Sequence, residues 1–162
     1  MFLRTETIPE KHFIGLRTRV TQTTHAVKTP LLWKQLMPRR NEIQKKVGDN
    51  LYSIQIFDTI PDEQFTPQTE FEKWAAIEVS DIGSIPTGFE SLTIPTGLYA
   101  VFLHKGLMSD FPKTLDFIYR NWMPSSDYSL DHRPHFDIMT EKYSPTRPDS
   151  EEEIWVPIQK IN

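Results

Sequence analysis

Thirty-two residues of this chain, Thr93 to Pro124, restate an earlier stretch without a gap. Thr93-Ile94-Pro95 repeats Thr7-Ile8-Pro9 at an offset of 86 positions. At that offset Phe13 meets Tyr99, Leu16 meets Phe102, and Leu32-Trp33-Lys34-Gln35-Leu36-Met37-Pro38 meets Ile118-Tyr119-Arg120-Asn121-Trp122-Met123-Pro124. Two copies are too few, and each of roughly 80 residues too long, for a stacked solenoid. The repeat predicts a single domain over residues 1–162, with a first half at about 1–82 and a second at about 89–162. Two such halves share one core, and the seam between them is a natural place for a cavity.

Composition narrows the function classes. The net charge is −4, which gives no basic face for direct nucleic-acid binding. There is no cysteine, hence no disulfide framework, thiol nucleophile or zinc-thiolate site. No apolar run reaches membrane-spanning length and Met1-Phe2-Leu3-Arg4 does not read as a signal peptide, so the expected location is cytoplasmic. The six glycines form no phosphate loop, nucleophile elbow or dinucleotide fingerprint, so no cofactor is expected. His132 and His135 flank Arg133-Pro134 with no third ligand in view, and no metal site is expected.

Alternation predicts a strand over His12 to Val20, with Ile14, Leu16 and Val20 on one face. Thr29-Pro30 reads as a helix start, and Leu32, Leu36, Ile43 and Val47 as a helical stripe that Pro38 kinks or divides. Strands follow at Tyr52 to Phe57 and Glu72 to Val79, separated by a loop with Asp62 as its turn residue, and Asp81 to Gly88 links the halves. Phe89 to Ile94 and Leu98 to His104 read as strand interrupted by Pro-Thr-Gly. A helix capped by Ser109 or Asp110 carries Phe111, Leu115, Ile118 and Trp122 on one stripe and stops at Pro124-Ser125-Ser126. Phe136 to Tyr143 and Glu152 to Gln159 are the last strands. Each half is thus β-α-β-β. The expected fold is α+β, with pseudo-two-fold symmetry, an antiparallel sheet and helices on one face.

Trp74 shares a strand face with Glu78, and Trp155 one with Glu151 and Glu153, in both cases opposite the aliphatic face. An indole beside a carboxylate suits a flat, apolar, cationic ligand. The competing reading is that tryptophan fills the core and Glu151-Glu152-Glu153 is a solvated strand edge. A hydrolytic role needs a polarising acid and a tyrosine near the reacting bond, for which Glu153 and Tyr99 are the candidates.

The segments Gly97 to Gly106, Trp122-Met123-Pro124-Ser125-Ser126, Phe136-Asp137-Ile138-Met139 and Glu153-Ile154-Trp155-Val156-Pro157-Ile158 resemble the GyrI-like small-molecule-binding family. That family includes effector-binding domains of AraC-type and MerR-type transcription regulators. Leu32-Trp33 and Tyr52 to Ile56 extend the likeness to the first half. The resemblance implies a duplicated β-α-β-β fold with a ligand cavity between the halves, where aromatic residues and a buried glutamate hold hydrophobic, often cationic compounds. By position Glu153 matches the acid of the last strand, Trp155 its aromatic and Tyr99 the tyrosine of the glycine-led strand. Where the family often has glutamate and tyrosine in the penultimate strand, this chain has Asp137 and Met139.

The expected function is therefore binding of a small hydrophobic or cationic molecule, to sense or sequester it. Glu153 and Asp137 would supply charge, and Trp74, Tyr99, Trp122, Trp155 and Met139 the walls. Two further functions fit the resemblance: hydrolysis of cyclopropane-containing genotoxins in the same pocket, and inhibition of a larger protein partner such as DNA gyrase. No DNA-binding module is expected before the first strand, and a regulatory role is then expected to need a separate partner.

Overall fold

The structure, a computed structural model, describes residues 1–61 and 64–162; the turn expected at Asp62 lies outside the described residues. Its strands are β1 (Phe2–Ile8), β2 (Lys11–Val20), β3 (Leu51–Ile56), β4 (Phe71–Val79), β5 (Glu90–Ile94), β6 (Gly97–Lys105), β7 (Tyr128–Leu130), β8 (His135–Met139) and β9 (Glu151–Lys160). They form one antiparallel sheet in the order β1-β6-β9-β8-β3-β4-β2-β5, with β7 beside the end of β9. The fold is α+β with its helices on one face, as the repeat and the alternation predict. At the centre the halves meet where β3 pairs with β8, Ser53 opposite Asp137.

One feature of the topology has no local signature in the sequence. β1 pairs with β6 of the second half, while β5 pairs with β2 of the first. Each half gives its leading strand to the edge of the other. Both lie at sheet edges, and β1 is exposed along most of its length, so it shows no alternating apolar face to announce it. The repeated Thr-Ile-Pro is its trace, since Ile8 and Ile94 are both buried at the ends of these strands.

The helices differ in detail from expectation. α1 spans His25–Leu36, so Pro30 lies inside it rather than at its start. The earlier start follows from a threonine turn in which the Thr21 carbonyl accepts from the amides of Thr24 and His25. Pro38 does divide the segment, which continues as a 3-10 helix over Met37–Glu42. Ile43 still reaches the core, but Val47 does not; its amide donates to the Glu78 carbonyl and ties this strap to β4. The second helix, α2, spans Phe111–Asp116, opens into a π-helical segment over Phe117–Trp122 and closes with one α-turn, Met123–Ser125. π-helical segments recur at functional sites because they reposition side chains.

Strand alternation sorts the core. Under α1, Leu32, Leu36 and Ile43 pack on Ile14, Ala75, Ile77 and Val79. Under the second helix, Ile118, Phe111, Leu115 and Trp122 pack on Ala100, Phe102, Ile154, Val156 and Ile158. The opposite face of the sheet carries a third cluster that crosses the seam, including Phe13, Tyr52, Ile54, Trp74, Tyr99, Phe136 and Trp155. α1 rests on β2 and β4 and the second helix on β6 and β9, leaving the helix side of β3 and β8 between them as the floor of a furrow.

The Arg133 guanidinium acts as an internal staple. It donates to the carbonyls of Leu98 (2.6 Å) and Ile158 (3.1 Å) and to Asp131 (3.0 Å), and lies over the Tyr99 ring. A Cβ at Gly97 would stand 2.3 Å from its Nη1, so only glycine leaves it room. Gly97→Ala is expected to cost about 2 kcal/mol, the scale of an overpacked core. A denaturant double-mutant cycle checks the cause: with Arg133 already replaced by alanine, most of the Gly97→Ala cost should vanish.

Candidate functional site

The aromatic face is built as a core. Its rings touch across the seam, with Phe136 stacked on Trp155 at 5.3 Å and Tyr99 5.1 Å from Phe136. Its carboxylates have internal partners. Trp74 Nε1 donates to Glu72, which also meets Arg17 at 3.2 Å. Glu78 accepts from Tyr52 (2.9 Å) and from Lys11 (3.3 Å), and Glu153 accepts from Trp155 Nε1 (3.0 Å). Arg4 already lies over the Trp155 ring, 5.4 Å from its centre. Tyr99 donates to the Pro134 carbonyl at 2.6 Å, and burial pushes its phenol up to about 12.

The helix side has the opposite character. From the floor of the furrow rise Ser53 and Gln55 of β3, Lys73 of β4, Asp137 and Met139 of β8, and Glu152 of β9. Their faces follow from alternation: Lys73 is in step with Ala75 and Ile77 under α1, and Glu152 with Ile154 and Val156 under the second helix. Asp137 and Glu152 are 8% and 6% exposed. Burial holds the Asp137 carboxyl well above the usual carboxylate range, against the pull of Lys73 and a hydrogen bond from Gln55. Burial raises Glu152 as well, and repulsion from Asp137 adds to the shift while Lys73 opposes it. Desolvation lowers Lys73 despite both acids. Tyr143, after β8, is half-buried; burial raises its phenol, and the charges of Glu152 and Asp137 add to the shift. Tyr119, from the π-helical segment, is 37% exposed and also feels the charge of Asp137.

Glu152 Oε1 is buried without a hydrogen-bond partner. A buried carboxylate oxygen with no donor is costly, and here a second buried acid repels it. A cavity of about 260 Å³ lies beyond the end of β8, where Glu152 meets Leu103, Ile138, Glu151 and Glu153 from the aromatic side of the strands and Thr140, Glu141 and Lys142 of the following turn. Acid predominates there; Lys142 and Lys105 each sit near Glu151, at 3.9 and 3.8 Å.

Of the seven residues expected to line a site, the structure puts Trp74, Tyr99, Trp155 and Glu153 on the aromatic face and Asp137 and Met139 in the furrow. Trp122 belongs to neither; it packs under the second helix, stacked on Phe2 at 4.9 Å. Only Glu153 also borders the acidic cavity. Sequence reasoning missed Glu152, Lys73 and Tyr119. The first two carried a signal, for each is a charged residue in step with an aliphatic strand face.

His135, at the far end of β8, is 6% exposed and edge-on to Phe57 at 4.9 Å. Burial, with lesser contributions from Arg133 and His132, pushes it down to about 3. A depressed base contributes stability in full above its unfolded value of 6.5, and that stability is lost as pH falls toward 3. Between pH 6.5 and 4.5 the wild type should lose about 2–3 kcal/mol through this group. Urea melts at both pH values should show a smaller loss in His135→Leu.

These features define a class: an antiparallel sheet of two interlaced repeats, with a helix over each half and a polar, acidic furrow between them. A sequence profile of the GyrI-like small molecule binding domain matches residues 1–159, and the chain belongs to that family. A search of curated proteins finds no match. Solved structures share the fold at low identity. The structure of SAV2435 bound to tetraphenylphosphonium superposes with a TM-score of 0.73 at 12% identity, covering 98% of this chain and 94% of that one. The EcmrR C-terminal domain gives 0.65 at 15% identity, covering 99% of each chain. A hydrolase from Listeria innocua gives 0.57 at 12% identity, covering 96% of this chain and 91% of its own. Among the described residues no helix is long and apolar enough to cross a membrane.

Proposed function

We propose that this chain binds amphipathic, cationic small molecules in the furrow beside Glu152, sensing or sequestering them rather than binding nucleic acid directly. The observation that carries this reading is Glu152, a nearly fully buried carboxylate with one oxygen lacking a donor, beside a second buried acid. A cation against that carboxylate would supply counter-charge and relieve the repulsion between the two acids. Met139 and Tyr119 add adaptable and aromatic surface. The tetraphenylphosphonium held by a protein of this fold supports the choice of ligand class.

The test pairs tetraphenylphosphonium with neutral triphenylphosphine oxide in equilibrium dialysis, and recovers each ligand for mass spectrometry. Saturable binding of the cation alone, recovered unchanged, is the expected result. Equal retention of the neutral compound would sink the reading. One observation favours a second, hydrolytic reading: a carboxylic acid kept protonated above its usual range, as Glu152 is, can donate a proton to an opening ring. A cyclopropane-bearing electrophile recovered as its hydrate, with loss of that product in Glu152→Gln, would favour it. Tyr99 would not share that role, because its hydroxyl is committed to the Pro134 carbonyl on the other face.

A further inference from the structure

Lys73 and Glu152 are complementary groups that face the furrow without meeting. The Lys73 side chain makes no hydrogen bond or ion pair among the described residues, yet it is close enough to Asp137 and Glu152 for each to shift its titration. The residue is half-buried and its ammonium keeps some solvent contact. Glu152 Oε1 is sealed from solvent and has no donor. The two groups rise from β4 and β9, which β3 and β8 separate, and Asp137 lies between them on the floor.

A simple lipophilic cation satisfies only half of this arrangement. It offers Glu152 a partner, but it adds charge to a furrow that already holds a lysine and leaves that lysine without an acceptor. We infer that the furrow is built for a dipolar ligand, an amphipathic molecule whose cationic group meets Glu152 and whose carboxylate or carbonyl oxygen accepts from Lys73. This rests on the small-molecule reading above and refines its ligand class. Asp137 then serves as the counter-charge that keeps Lys73 protonated against burial, consistent with the opposing pulls on both groups.

Calorimetry with three probes of fixed charge tests it: benzyltrimethylammonium, its carboxymethyl analogue (a benzyl betaine) and phenylacetate. The wild type should bind the betaine about tenfold or more tightly than the plain cation, the effect of one charge-assisted hydrogen bond. Lys73→Met should abolish that preference, and Glu152→Gln the preference of betaine over phenylacetate, with circular dichroism showing both variants folded. Equal affinity for betaine and plain cation, or a preference that survives Lys73→Met, would overturn the inference and leave cation binding intact. Failure of both cation-bearing probes to bind would overturn the two together.

Discussion

Gly15→Ala is expected to be the most damaging single substitution in the molecule, costing more than about 4 kcal/mol and leaving little folded protein. Gly15 sits in the middle of β2, paired with both Ala76 of β4 and Glu90 of β5. A Cβ there would lie 2.1 Å from the Ala75 carbonyl oxygen and 2.8 Å from the Ala76 Cα. Both obstacles are backbone in a central strand, so no rotamer change makes room. β4 would have to move away, breaking the ladder that joins the first half to its exchanged strand and lifting Ala75 from under α1. Denaturant melts with far-ultraviolet circular dichroism check this. A Gly15→Ala variant within about 1 kcal/mol of wild type would mean that the close approach of β2 and β4 is not a fixed feature of the fold.

The largest expected effect on binding belongs to Glu152→Gln. In the free protein the carboxyls of Asp137 and Glu152 are raised, so near neutral pH the pair holds a proton that an exposed pair would have lost. A bound cation favours the ionised form, and binding must expel that proton. Affinity for tetraphenylphosphonium should therefore rise with pH, by up to about tenfold per unit, and level off once both acids ionise in the free protein. The charges of Asp137 from β8 and Lys73 from β4 set the position of the curve. Tyr143 beyond β8 faces Glu152 as well, and His104, opposite it on β6, has its ring nitrogens on Thr114 and the Leu107 carbonyl. In Glu152→Gln the amide keeps the shape and loses the charge, so the upper part of the rise should flatten. Affinity above the plateau should fall about 100-fold, the scale of one buried charge partner lost. A variant with the wild-type pH profile would remove Glu152 from the site.

The sequence revealed the symmetry but not the exchange of strands. The 86-residue offset and the alternation in β2, β4, β6 and β9 are local, and local periodicity reports which face of an element is apolar. Partner choice is not local. Nothing in Phe2 to Ile8 states that β1 joins the far half, and the sequence reading began its first strand only at His12, although the copy at Phe89 to Ile94 read as a strand. For the candidate site the same limit holds. Asp137 and Met139 came from resemblance, and alternation places them on the floor of the furrow. The Trp155–Glu153 pairing was expected to form one wall of a ligand site, yet the indole spends its donor on that carboxylate inside a packed cluster. Glu152 and Lys73 were overlooked because an acidic run and a strand lysine read as solvated. Their step with Ile154 and with Ala75 was the clue, since a charge on an aliphatic face is either an error of register or a functional group.

Calorimetric titration of tetraphenylphosphonium at pH 8 into the wild type and an Asp137→Asn/Glu152→Gln double variant shows whether the two buried acids hold a cation. The wild type should bind saturably, one to one, with proton release that shows as a buffer-dependent heat. The folded double variant should show no measurable binding. Wild-type affinity in the double variant, or no heat from a folded wild type, would contradict that role for the acids and return the furrow to a purely structural role.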